Sequence, residues 1–165
     1  MVQLLTDNWP ILLLVGVLLL AYFVARFAFA DRSLPYEKRS SLLTQSELAF
    51  YNVLREAAGN DWAIQAMVRM ADLIRVKPET PKYQSWQNRI QAKHIDFLLC
   101  DPETMEAKLA VELDDKSHQR PDRMERDEFV NQALADAGLP LLRIGVQGEY
   151  DADDIRNSIE QALGA

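Results

Sequence analysis

Acids and histidines stand along this chain at spacings that let them meet. His94-Ile95-Asp96-Phe97 carries one acid into an apolar run, and AVELDDKSHQR, Ala110 to Arg120, ends a second apolar run in Glu112, Asp114, Asp115 and His118. Side chains alternate along a strand. His94, Asp96 and Leu98 therefore share one face and Ile95, Phe97 and Leu99 the other, while Glu112 goes with Asp114 and Val111 with Leu113. A hairpin turning near Thr104 sets Asp96 across from Glu112 and His94 across from Asp114. Each strand then spends one face on a core and gathers carboxylates on the other. Like charges across a strand pair are destabilising, and an unpaired buried carboxylate costs several kcal/mol. A hard divalent cation offsets both, because Mg²⁺ is held by one or two carboxylates and keeps waters that a phosphate can displace.

A plainer reading uses the same residues. Glu112, Asp114 and Asp115 form a solvated face paired with Lys93, Lys108 or Lys116, since alternating polar residues are the norm on antiparallel strands. His118 is then a loop histidine titrating near neutrality. Asp122 with Arg126, and Arg123 with Asp127, are helix pairs four residues apart. Glu47 belongs to the capping box Thr44-Gln45-Ser46-Glu47. Spacing alone does not choose between the two readings.

The elements that must position these residues follow from periodicity. Phe50, Val53, Leu54 and Ala57 recur at helical spacing after Thr44, and Gly59-Asn60 ends that helix. Ile64 to Val68 is a short strand, and Lys77 to Arg89, with two Pro and few aliphatics, reads as a loop. His94 to Cys100 and Ala107 to Asp114 are the hairpin strands, joined by a turn over Asp101-Pro102-Glu103-Thr104. Pro121 opens a helix to about Ala137, stopped by Gly138-Leu139-Pro140. Leu141 to Val146 is a buried strand. Ile155, Ile159 and Leu163 mark a last helix with Asp151, Asp153 and Asp154 at its positive end. Helix, weak strand, hairpin, helix, strand and helix together indicate an α/β fold: a mixed sheet with helices on its faces.

Ahead of this domain, Ile11 to Ala25 is an uninterrupted apolar run, and Trp9 to Ala30 supplies the roughly 20 residues a membrane span needs. Asn8 caps it and Pro10 sits in its first turn. A cleaved signal peptide is the rival, since Ala28-Phe29-Ala30 resembles a cleavage site, but the basic segment such a peptide needs is missing. Arg26, Arg32, Lys38 and Arg39 all follow the run, which places the downstream domain in the cytoplasm. The expected organisation is an extracytoplasmic tail (1–8), a single transmembrane helix (9–30), a juxtamembrane linker (31–41) and one domain (42–165). Cys100 is the single cysteine, so no intrachain disulfide forms and a reducing compartment suffices. The net charge of -7, from 25 acidic against 18 basic residues, argues against a broad basic surface for nucleic acid.

The segments HIDF, AVELDDKSH and DRMERDEFVNQALADAGLPLLRI resemble, in order and separation, the very-short-patch-repair-like branch of the PD-(D/E)XK nuclease superfamily. More narrowly, LPYEKRSSLLTQSELAFYNVLREAAG, IQAKHIDFLLCDPET and ELDDKSHQRPDRMERD resemble an uncharacterised bacterial family near that branch, often preceded by a membrane span. The resemblance runs from about Leu34 to Ala162. It implies a restriction-endonuclease-like domain with a central mixed sheet, tethered to a bacterial inner membrane and acting on nucleic acid with Mg²⁺ or Mn²⁺. It implies Asp96 and Glu112 as metal-binding catalytic acids, Glu47 of the first domain helix as a residue that can join the metal site, and His118 as the catalytic histidine after the acidic strand; Asp114, on the same strand face as Glu112, is added to the expected metal ligands and catalytic residues. Arg143 matches an arginine of the closing strand. Asp114 stands where the superfamily has its lysine, and a carboxylate cannot orient water or offset negative charge as a lysine does. Lys93 or Lys116 is the expected substitute. A nuclease fold that binds without turnover is the rival reading.

Overall fold

The computed structural model of the chain describes residues 8–28, 33–114 and 121–164. The chain divides into two compact units, one ending at Arg39 and one beginning at Ser40. The first holds helix α1, Trp9–Ala28. Its 20 residues reach about 30 Å at 1.5 Å each. Trp9–Phe27 has mean hydropathy 2.3 with none of it buried in the chain, so this helix is long and apolar enough to cross a membrane. A signal sequence has the same length and apolarity.

The second unit runs α2 (Gln45–Ala58), β1 (Ala63–Arg69), α3 (Met70–Leu73), α4 (Tyr83–Gln91), β2 (His94–Cys100), β3 (Ala107–Asp114), α5 (Pro121–Ala137), β4 (Leu141–Gly145) and α6 (Ala152–Leu163). The sheet has strand order β1-β2-β3-β4. The β1/β2 and β2/β3 pairs are antiparallel and β3/β4 is parallel, and the helix α5 supplies the long crossover that a parallel pair requires. The β2–β3 turn is wrapped around Asp101, whose Oδ1 accepts the Glu103 and Thr104 N–H groups and the Thr104 hydroxyl.

Ends are capped as the sequence suggests. The Thr44 N–H donates to Glu47 Oε2 at 2.7 Å and the Glu47 N–H to Thr44 Oγ1 at 3.3 Å, a closed capping box. Asp151 accepts the Asp153 and Asp154 N–H groups at the start of α6. Gly138, at φ +75°, lets the Leu139 N–H return to the Leu134 carbonyl and turns α5 into β4.

Both faces of the sheet are buried, which corrects the expectation of one apolar and one acidic face. On one side Phe97, Leu99, Leu109 and Val111 pack under α2 and α6 through Phe50, Leu54, Ile155 and Ile159. The Phe50 and Phe97 rings lie 5.6 Å apart. On the other side Ile95, Leu98, Cys100 and Ala110 meet Met70, Ile90, Val130 and Leu134 of α3, α4 and α5. Ile95 therefore does not share a face with Phe97. In β1 the same exchange occurs between Ala66 and Val68, either side of Met67 at φ +56°, and these residues pair with Phe97 and Ile95. A left-handed residue interrupts alternation, so the side chains beyond it change sides. The span expected as a loop, Lys77 to Arg89, contains most of α4. That helix buries Ile90 alone and starts at Lys82 without a side-chain cap, so the periodic and capping signals are both weak.

Phe97→Ala removes a ring with no exposed surface from the centre of the α2/α6 layer. We expect a loss of about 3–5 kcal/mol in urea unfolding with the denaturant slope unchanged.

Candidate functional site

The β2/β3 ladder runs from Cys100 to Phe97 on one strand and ends at the Phe97–Val111 pair. One step further along the same register brings Asp96 against Glu112, as expected. There the ladder gives way to a side-chain bond, the Leu113 N–H donating to Asp96 Oδ2 at 2.9 Å. His94 is exposed and its ladder partner is Arg69 of β1, so the expected His94–Asp114 pair is not part of the sheet.

Charge at this end of the sheet is crowded. Burial pushes the Asp96 carboxyl up; the Leu113 N–H pulls it down, Glu47 and Asp114 add to the rise, and Arg126 opposes it. Burial also pushes Glu112 up, to about 8, reinforced by Asp96 and Asp114 and resisted by Arg143 and Arg126. The fold thus draws Glu47, Asp96, Glu112 and Asp114 into one electrostatic neighbourhood from α2, β2 and β3.

The counter-charges come from elements the acids do not occupy. Arg143 lies beside Glu112 in the parallel β3/β4 register. Its Nη1 donates to Asp114 Oδ1 at 2.7 Å and its Nε to Asn131 Oδ1 at 3.1 Å, and Asp127 stands 3.9 Å away. Arg126, Asp127 and Asn131 were not among the residues expected at the site. A signal for Arg126 exists: it precedes buried Val130 and Leu134 by four and eight residues, which extends their stripe toward the sheet. The side chains of Asp122 and Arg123, the expected helix partners of Arg126 and Asp127, lie outside the described ones.

Lys93 lies against α5. Its ammonium lies 5.2 Å from the Phe129 ring centre, and the cations acting on Glu112 are arginines. Lys108 pairs with Glu106 at 2.6 Å, not with the strand acids. Lys116, Asp115 and His118 lie outside the described residues. A cavity of about 400 Å³ shares Asn131 and Arg143 with the cluster and is otherwise walled by Ala135, Leu139, Pro140 and Leu141.

Among the described residues no group of three or more His, Cys, Asp and Glu forms a ready-made metal site. Asp114 is engaged by Arg143, and Glu47 Oε2 by its capping bond. Asp96 and Glu112 remain as a half-buried pair of hard oxygen donors, both raised by burial first, Glu112 also by Asp96 and Asp96 by Glu47 and Asp114. That donor set fits Mg²⁺, which takes one or two protein carboxylates and fills its other positions with water and phosphate oxygens.

The family model described as protein of unknown function (DUF2726) matches residues 39–163. The chain belongs to this family. No curated protein and no solved structure matches it. The DUF2726 match spans every strand of the sheet and all four residues of the acidic neighbourhood, and it starts after α1.

The raised Glu112 carboxyl links stability of this DUF2726 domain to pH. Its value rises from 4.5 to about 8 on folding, so the native state keeps a proton that the unfolded chain has released. Stability from this group is complete below 4.5, falls as pH rises through the interval and is lost above about 8. Melting temperature of metal-free protein should therefore decline across that interval, and Glu112→Gln should flatten the decline; an equal decline in both proteins assigns it to another group.

Proposed function

We propose that this chain is a membrane-anchored, metal-dependent phosphodiester hydrolase acting on nucleic acid. The observation that carries the reading is the pairing of Asp96 with Glu112 at one end of an otherwise apolar sheet. Two carboxylates held half-buried and mutually repelling are costly unless an opposite charge joins them. The resemblance of HIDF and AVELDDKSH to the PD-(D/E)XK pattern, and with it a restriction-endonuclease-like fold, supports the same assignment. The excess of Arg and Lys after α1 supports an inner-membrane span with the domain in the cytoplasm.

A divalent ion bound there would lower the pKa of its water and neutralise charge building on the phosphate. Asp96 is oriented for a ligand's role by the Leu113 N–H, which occupies Oδ2. Glu112 would have to release its proton to hold such an ion, so binding would strengthen as pH rises. Arg143 keeps Asp114 turned toward β4 and Asn131 steadies Arg143. Arg126 is the cation assigned to a substrate phosphate, because its charge acts on both Asp96 and Glu112. His118 is the sequence's proton carrier, with an intrinsic pKa close to neutrality.

One observation favours a second reading, a binding module without turnover. The residue at the lysine position, Asp114, is neutralised by Arg143, so no lysine of the described residues takes up the water-orienting role.

Full-length protein in neutral detergent separates these readings. Mg²⁺ or Mn²⁺ at a hundred times its Kd should stabilise the fold by about 2.7 kcal/mol, and Asp96→Asn should abolish the shift. Cleavage of single- and double-stranded DNA and RNA should fall about a hundredfold or more in Asp96→Asn and Glu112→Gln. A metal shift without cleavage of any form selects the binding module; no shift removes the metal site altogether.

A further inference from the structure

The DUF2726 domain carries a second polar cluster, made of cations and aromatic rings. Arg89 of α4 lies 3.9 Å from the centre of the Phe129 ring and 5.3 Å from that of Trp86. Lys93, just after α4, covers the same Phe129 ring. Arg126 precedes Phe129 by three residues on α5, a spacing that makes them neighbours on the helix surface, and Lys93 is lowered by burial and then by Arg126 and Arg89, so the three cations share one small region. Among the described residues none of the three forms an ion pair with a carboxylate. Trp86 and Tyr83, three residues apart on α4, remain 42% and 45% exposed. The ring faces stabilise Arg89 and Lys93 in place of carboxylates, and they leave exposed aromatic surface next to positive charge.

We propose that α4, with Lys93, Arg126 and Phe129, is a docking surface for single-stranded nucleic acid, a base stacking on Trp86 and backbone phosphates lying on Arg89, Lys93 and Arg126. Charge complementarity selects the occupant. Repulsion within the cation group is relieved by closely spaced anions, which a phosphodiester strand supplies, and exposed aromatic rings stack on unpaired bases independently of sequence. A duplex hides those base faces. Arg126 also gives direction, since it belongs both to this group and to the Asp96–Glu112 neighbourhood. A strand bound here leads its phosphates toward the carboxylates. The net charge of -7 fits a local contact of this kind in place of long-range attraction. This assignment deepens the nuclease reading by naming its substrate class.

Anisotropy of fluorescein-labelled oligothymidylate and oligouridylate, with full-length protein in neutral detergent and EDTA, tests the surface without chemistry. Binding should weaken about tenfold in Trp86→Ala, and Trp86→Phe should restore most of it. The double variant Arg89→Ala/Lys93→Ala should weaken binding further and make the salt dependence shallower, by about 0.7 in log–log slope for each phosphate that no longer meets a cation. Unchanged binding in the Trp86 and Arg89/Lys93 variants overturns the surface, as does absence of wild-type binding. So does transfer of their defect to phosphatidylglycerol vesicles, with oligonucleotide binding intact. Failure of the nuclease reading is a different result: no metal shift or cleavage, with Trp86-dependent binding preserved, leaves the surface standing.

Discussion

Just past the last β2/β3 ladder pair, Phe97–Val111, the Leu113 N–H donates to Asp96 Oδ2. By taking that donor, the Asp96 side chain ends the β2/β3 ladder and is fixed at the same time. A buried backbone N–H must be satisfied somewhere, so the acid is retained at the sheet's end even though burial and neighbouring carboxylates oppose its charge. Glu112, one residue before Leu113, follows from this geometry. The pair stands where the two apolar layers stop. Further back, between Phe97 and Cys100, every residue of β2 is buried among helices.

The layers explain why the acids can be crowded only there. With α2 and α6 on one face and α3, α4 and α5 on the other, polar side chains have no solvated face to occupy. The β3–α5–β4 crossover then brings counter-charges to the same end. It sets Arg143 beside Glu112 and directs Arg126 and Asn131 from the helix above. Burial, with Asp96 and Asp114 beside it, raises the Glu112 carboxyl to about 8 against the opposing charges of Arg143 and Arg126. An acid partly buried among like charges keeps its proton to higher pH.

Charge is therefore segregated at short range inside a chain whose overall balance is acidic. Cations gather around Phe129 and acids at the end of β2 and β3, with Arg126 common to both. Aromatic faces let Arg89 and Lys93 lie close together without a carboxylate between them, because the ring quadrupole stabilises each cation. The total of 25 acidic and 18 basic residues conceals this separation.

Strong local signals made most elements legible: the Thr44/Glu47 box, the Asp101 turn, the Pro121 start and the Gly138 stop all act within a few residues. Antiparallel pairing of β2 with β3 was equally local, since a short turn between alternating strands fixes register. The helix α4 was not legible, because it has one buried residue and no side-chain cap. Nor was the exchange of faces near Met67 and Asp96, which depends on a left-handed residue in the adjacent strand. The amino-acid sequence by itself determined which acids belong together along β2 and β3 and where the apolar span α1 lies. Tertiary structure alone decided that Arg143 neutralises Asp114, that Arg126 joins the acids to the Phe129 cations, and that both sheet faces are buried. Those relations are made between elements far apart in the chain, where spacing and periodicity carry no information about distance.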